Sequence, residues 1–440
     1  MASIRKWNQS TIYFLVYSIS ILSLSFLADQ HDFNSIFSFY VLGFASYFLI
    51  GIDKNTPINW IKCSLWLKII LVFAFPLASD DIFRFYWDGM VSAQGISPYK
   101  SLPSELINNN SIYLDSSVYQ KLNSKSYYSV YPPLLQWLFS SCYVLSFKSV
   151  YIFSVIWKLI LLMADAGSIY LLKKLQYSSK LIYWFAFNPL IMYEVFANGH
   201  PEGLLLFFLI GMMWALKENK INGSFISLSL ASAIKIFPLV FFPLLVKKMR
   251  FGQVVKYSCI AAFFLLVFFL PIYPYFDHFM ESIRLYFKKF EFNGSVFEIW
   301  KGIDYLRFGF DNIDHISIYL SSFFLMVLIV LSTKYIVARN EDLLKTMFWI
   351  WMFYLLFSST VHPWYILPIF VISLLRSNLI GFVWSLLVIL SYSAYHDQAN
   401  KYRYVFLSIE YVLLLLTVVF EINNWSGQLK NLIFSDDMKK

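Results

Sequence analysis

The sequence predicts an all-α polytopic membrane protein. Its 440 residues are 59% hydrophobic and 21% aromatic but only 14% charged, far more apolar than a soluble domain. Several apolar runs reach or approach the roughly 20 residues that a helix needs to cross about 30 Å of hydrocarbon. Lys and Arg fall mostly in short clusters between those runs, the mark of cytoplasmic loops, so the net charge of +9 does not point to nucleic acid. Cys63, Cys142 and Cys259 lie in apolar segments without metal-ligand or disulfide spacing and read as buried thiols.

Arg5 and Lys6 ahead of the first run place the N-terminus inside. No clear small-x-small cleavage site follows, so the run from about Thr11 to Leu27 reads as an uncleaved first helix. Asp29 to Asp32 is then outside, a second helix covers about Ile36 to Ile52, and Lys54 to Lys62 is inside. A third helix, about Trp60 to Ala78, delivers Asp80 and Asp81 to the outer face.

Residues 79–131 form the first large extracytoplasmic loop, long enough to be functional rather than a mere connection. Within it, Phe83, Tyr86, Trp87 and Met90 recur at helical spacing, as in an amphipathic helix lying on the surface with those side chains toward lipid. The runs Leu134 to Phe147 and Tyr151 to Leu172 raise a conflict, because two full crossings would leave Lys173, Lys174 and Lys180 outside. Fourteen residues are too few for an ordinary span, so the first run is expected to be short or re-entrant.

Leu204 to Leu216 crosses inward, which leaves Asn198 to Glu202 outside. Ser224 to Val246 holds Lys235, Pro238 and Pro243 within an apolar run flanked by basic residues, the pattern of two half-helices in a cytoplasmic hairpin. Runs at about Gln253 to Tyr275, Ile316 to Ile336, Thr346 to Val361, Trp364 to Leu375, Leu379 to Tyr395 and Tyr404 to Phe420 complete the alternation. They place residues 276–315 outside as a second large loop, with Arg339 to Lys345 and the tail carrying Lys430, Lys439 and Lys440 inside. The whole chain thus reads as one integral-membrane domain. No internal repeat is evident.

Asp80 and Asp81 are the candidate catalytic pair. Side by side, both ionised forms repel, which raises one pKa unless Arg84, a lipid phosphate or a metal neutralises them. One is then a general base toward an acceptor hydroxyl, and its neighbour orients it or holds a cation. The competing reading is a pair of solvated helix-capping aspartates. Arg84, Trp87 and Asp88 follow within two turns, and Tyr99 closes the motif; these are candidate substrate contacts.

Two further motifs on the same face offer imidazoles. Asn198-Gly199-His200-Pro201-Glu202 supplies His200 and Glu202, and Val361-His362-Pro363-Trp364-Tyr365 supplies His362, Trp364 and Tyr365. A His suits a phosphate, and a Trp or Tyr face suits a sugar ring or an isoprenoid. Against this, His-Pro can merely start a helix, and Trp-Tyr belongs to any interfacial belt. In the second loop Arg284 shares a helical face with Lys288, near Lys289, and could meet an anionic head group; a solvated basic surface is the ordinary alternative. Neither a GxxxxGK[ST] loop nor a GxSxG elbow occurs.

The ordered motifs SDDIFRFYWDG, QGISPY, YPPLLQW, NPLIMYEVFANGHPEGLLL, LASAIKIFPLVFFPLL and VHPWY resemble the GT-C class of integral-membrane glycosyltransferases. Within that class the chain is most similar to bacterial polyprenyl-phosphate-mannose-dependent mannosyltransferases, from Trp60 onward. The resemblance implies a GT-C-like bundle of about 11–14 transmembrane or re-entrant helices in the bacterial cytoplasmic (inner) membrane, with the active site on the outer face. It implies an inverting hexosyltransferase that moves a hexose, mannose in the nearest relatives, from a polyprenyl-phosphate sugar donor to a lipid-linked or exported acceptor hydroxyl. Asp80 or Asp81 would be the base, with His200, His362 or Arg284 at the departing phosphate. Such enzymes often work without a metal, although an acidic pair leaves room for Mg or Mn. Two departures stand out: two helices precede the acidic motif where many members have one, and a large C-terminal soluble domain is absent. A transporter or flippase of a lipid-linked saccharide is the rival reading, though its ionisable groups would gather near the bilayer midplane and in inverted repeats. A surface-polysaccharide polymerase or ligase is a third.

Overall fold

A computed structural model of the chain describes residues 9–53, 59–109, 111–247, 249–288, 290–310, 313–338, 342–396 and 398–434. Expectations that rest on Arg5, Lys6, Lys54, Lys289, Arg339, Lys439 and Lys440 lie outside the described residues. The described chain is helical. Among the described residues, six helices are long and apolar enough to cross a membrane, namely Gln9–Phe26, Phe33–Ile52, Val150–Lys174, Phe251–Leu285, Ile313–Val337 and Ala399–Ile422. Ile191–Ala197 and Glu202–Lys217 together make a seventh apolar span, bent by 117°. Shorter apolar helices at Pro133–Leu145, Ile221–Ile234, Leu343–Phe357, Pro363–Leu375 and Ile380–Tyr395 fill the bundle.

The links between helices gather at two ends. At one end Lys217 donates to the Leu175 carbonyl at 2.5 Å, Lys180 to Leu432 at 2.7 Å and Lys247 to Ala338 at 2.8 Å. Lysine ammoniums are thus used there to satisfy carbonyls at helix ends. Ser79, His200, Thr360 and Tyr395 mark the other end, where the two large loops also lie.

The Pro133–Leu145 helix bears on the sidedness conflict, because at 13 residues it falls short of a full span. It runs antiparallel to the Asp81–Ala93 helix, with Gln136 beside Asp88 and Tyr143 against Tyr86. The next helix begins at the same end, where Tyr86 donates to the Lys148 carbonyl and stacks edge-on with Phe153. That single full crossing carries Lys173 and Lys174 to the lysine-rich end. The backbones of the antiparallel pair approach closely at Gly89, where a Cβ would sit 2.5 Å from the Phe139 carbonyl oxygen.

Two expectations are corrected. Of the three thiols expected to be buried, only Cys142 is; Cys63 is half-buried and Cys259 exposed. Phe83, Tyr86, Trp87 and Met90 do not face lipid; they are buried between 0% and 8% exposure. The Asp81–Ala93 helix is buried on almost every side, from Ile82 through Val91, because it is enclosed between the bundle and the rest of its loop.

Polar side chains staple that loop down. Arg84 pairs with Asp88 at 2.8 Å and donates to the carbonyls of Ser124 and Tyr127 at 2.9 and 3.0 Å. The other Asp88 oxygen accepts from Ser129 at 2.5 Å and Gln136 at 3.0 Å. The second loop, containing the Phe276–Lys288 and Val296–Phe308 helices, closes on the first. His278 stacks on Tyr128 with centroids 4.2 Å apart and meets the Tyr99 carbonyl at 3.0 Å, while Ser282 donates to the Tyr128 carbonyl.

Ionisable groups inside the bundle are satisfied in place. Lys68 and Asp165, both buried, pair at 2.6 Å, and Lys158 donates to the carbonyls of Leu71 and Ala74. The latter two carbonyls lie where the Trp60–Val72 helix ends short of the acidic motif, so the lysine covers an otherwise open helix terminus.

Candidate active site

Asp80 and Asp81 begin the Asp81–Ala93 helix, yet they face different surroundings. Asp80 stands at the N-cap position with an exposed residue surface and no side-chain capping bond. Burial pushes its carboxyl above the ordinary range, His31 pulls it down and Asp29 pushes it up. Asp81 is 24% exposed, and its Oδ2 lies 3.8 Å from His200 Nε2. Burial raises this carboxyl too; His200 opposes the rise, and the carboxylates of Glu202 and Asp80 add to it.

His200 is fully buried and fixed on both sides. Its Nε2 is 3.2 Å from Ser79 Oγ. Its Nδ1 is 3.0 Å from Glu194 Oε2 and 3.0 Å from the Glu194 carbonyl oxygen. Gly199 turns the chain with φ of +80°, and Trp157 Nε1 donates to its carbonyl at 2.6 Å. Glu194 sits in the π-helical turn Ile191–Ala197, a wide turn that recurs at functional sites. It also accepts from Tyr392 at 3.0 Å, and Asn198 lies 3.4 Å away.

A column of flat rings continues from His200. Trp364 stacks on His200 with centroids 3.6 Å apart, His362 on Trp364 at 4.4 Å, and Phe292 of the second loop on His362 at 4.6 Å. Phe292 reaches this place because its backbone bonds Ser359 and Val361 beside the His362 motif. Burial, reinforced by the nearby charges of His200 and Lys235, pushes the His362 imidazole down to about 3, so it is neutral at ordinary pH. Lys235, at the end of the Ile221–Ile234 helix, bonds Glu202 at 3.0 Å and sits 3.2 Å over the Tyr365 ring. His362 Nδ1 and Glu202 Oε2 are buried without a hydrogen-bond partner among the described residues.

The fold therefore brings together Asp81, His200, Glu202, His362, Trp364 and Tyr365 from three distant stretches of sequence. Arg84 and Asp88 turn their polar groups into the loop staple, and Trp87 is buried against Tyr119. Tyr99 donates to the Tyr131 carbonyl at 2.5 Å and packs on Phe279. Arg284 lines a separate open cleft of about 620 Å³ with Asp277, Glu281 and Asp314. Sequence reading missed Glu194, Ser79, Tyr392, Phe292 and the part played by Lys235. A lone carboxylate inside the apolar run LIMYEVFA was the available signal for Glu194, since such a group needs a partner. Among the described residues, no three His, Cys, Asp or Glu side chains are grouped to hold a metal ion.

Residues 37–250 match the alpha-(1->6)-mannopyranosyltransferase family, N-terminal domain. Over that stretch the chain is similar to a mannosyltransferase-family domain. That match covers the acidic motif, the His200 motif and Lys235, and it supports the GT-C-like resemblance seen in the sequence. No curated protein and no solved structure matches the chain. The similarity supports glycosyltransferase activity for this multi-pass membrane protein, with a sugar donor and a glycan acceptor.

Proposed function

We propose that this protein is an inverting mannosyltransferase that takes mannose from a polyprenyl-phosphate donor at the outer face of the membrane. Asp81 removes the proton of an acceptor hydroxyl on a lipid-linked or exported glycan, and the oxygen attacks the anomeric carbon. The bond to the polyprenyl phosphate breaks as the new glycosidic bond forms. Lys235 and His362 flank the departing phosphate, and the half-buried rings of Trp364 and Tyr365 receive the sugar or the isoprenoid.

The observation that carries this reading is the placement of Asp81, partly exposed, against the His200 imidazole beside the ring column, in a chain similar to a mannosyltransferase-family domain. Lysine enrichment at the opposite end supports an outward-facing site by the positive-inside rule. Asp80 and Asp81 meet different neighbours instead of converging on one point, so transfer should persist in EDTA.

The test is mass spectrometry of lipid-linked and exported glycans from cells with and without the protein. Loss of one hexose from a defined glycan, together with accumulation of polyprenyl-phosphate mannose, is the expected result. Unchanged glycans with a trapped whole lipid-linked saccharide on the inner leaflet would instead favour a flippase.

A further inference from the structure

We infer that Glu194 and His200 are positioning residues that act through Asp81, and that His200 does not contact the donor phosphate. The inference rests on the reading of Asp81 as base. His200 is 0% exposed, so no substrate atom reaches it without displacing Trp364 or Ser79. Its Nδ1 faces two acceptors, the carboxylate and the carbonyl of Glu194, so the hydrogen resides on Nδ1 and Nε2 is left facing Asp81 and Ser79. When neutral, Nε2 accepts from the Ser79 hydroxyl at 3.2 Å; when protonated, it points a positive charge at the Asp81 carboxylate. Glu194 is the counter-charge that keeps the second state accessible at a fully buried imidazole.

Glu194 is itself held. Tyr392 donates to one oxygen, and His200 and Asn198 approach the other. The carboxylate thus lies behind the imidazole as the imidazole lies behind Asp81, an arrangement of acid, imidazole and orienting carboxylate that sets tautomer and ring angle. The other groups that face the pair are Asp80, Glu202, His362, Lys235 and the Tyr193 and Tyr392 hydroxyls.

The test uses the full-length protein in lipid nanodiscs with radiolabelled polyprenyl-phosphate mannose and an octyl α-mannoside acceptor. Glu194→Gln should lower kcat about 10- to 100-fold, less than the loss when the orienting Asp of a hydrolase triad is replaced, with donor KM little changed. The acidic limb of the pH profile should move to higher pH in Glu194→Gln and in His200→Asn, because less positive charge then faces Asp81. Glu194→Asp, which keeps the charge, should hold the limb at its wild-type position. A purely structural role would lower active protein without moving the limb. If Asp81→Asn abolishes transfer while Glu194→Gln and His200→Asn keep the wild-type kcat and limb, the inference falls and the base assignment stands. If Asp81→Asn transfers fully, both fall. A rise in donor KM with kcat intact in His200→Asn would mean that His200 binds the phosphate, which also overturns it.

Discussion

Asp80 and Asp81 are adjacent in sequence but unlike in chemistry, and that difference separates their expected roles. Asp81→Asn should reduce transfer on the order of 10²- to 10⁴-fold, the usual contribution of a general base, whereas Asp80→Asn should cost much less because Asp80 stands exposed at the helix start and outside the His200–Glu194 pair. Initial rates with both purified variants check this. A base works only when ionised, and burial raises the Asp81 carboxyl, so activity should rise with pH through a value above the ordinary carboxylate range and fall away below it. A rate profile flat down to the ordinary carboxylate range would refute that. The acidic pair and both imidazoles could be picked out from sequence because ionisable residues stand out beside apolar runs. Their grouping could not, nor could the inward turn of Arg84 and Asp88, because hydrogen-bond partners 40 residues away in a loop have no periodic signature.

The Asp81–Ala93 helix owes its position to its neighbours more than to its own pattern. Gly89→Ala would force a methyl against the Phe139 carbonyl and should destabilise the protein by about 1–3 kcal/mol, seen as a lower thermal midpoint in detergent. Replacing only Arg84 or only Asp88 by an uncharged residue leaves a buried partner uncompensated, at about 3–5 kcal/mol. Replacing both together should cost less than the sum of the two single changes, and additive losses would argue against a coupled pair. From sequence this helix was expected to lie on lipid, since the spacing of Phe83, Tyr86, Trp87 and Met90 fits any apolar face. What covers such a face is a tertiary matter. By contrast, the short helix after Pro133 and the break at Lys235 were visible in advance, because length and proline limit what an apolar run can do.

Across the bundle, the helices place the Asp81 cluster at one end and the lysine-rich links at the other, an arrangement that composition and charge had largely laid out. The structure adds which apolar helices are too short to span, which bears on the proposed sidedness. Single cysteines at Ser126 and Lys174, both exposed, introduced with Cys63 and Cys259 replaced by serine, should react with an impermeant maleimide from opposite sides, Ser126 from outside. Labelling of both from one side would contradict the folded path. The decisive measurement is transfer of radiolabelled mannose from polyprenyl-phosphate mannose to octyl α-mannoside by reconstituted wild-type and Asp81→Asn protein. Robust transfer by the wild type with loss of at least about 100-fold in the variant is the expected result, and equal transfer by the two would contradict the assignment.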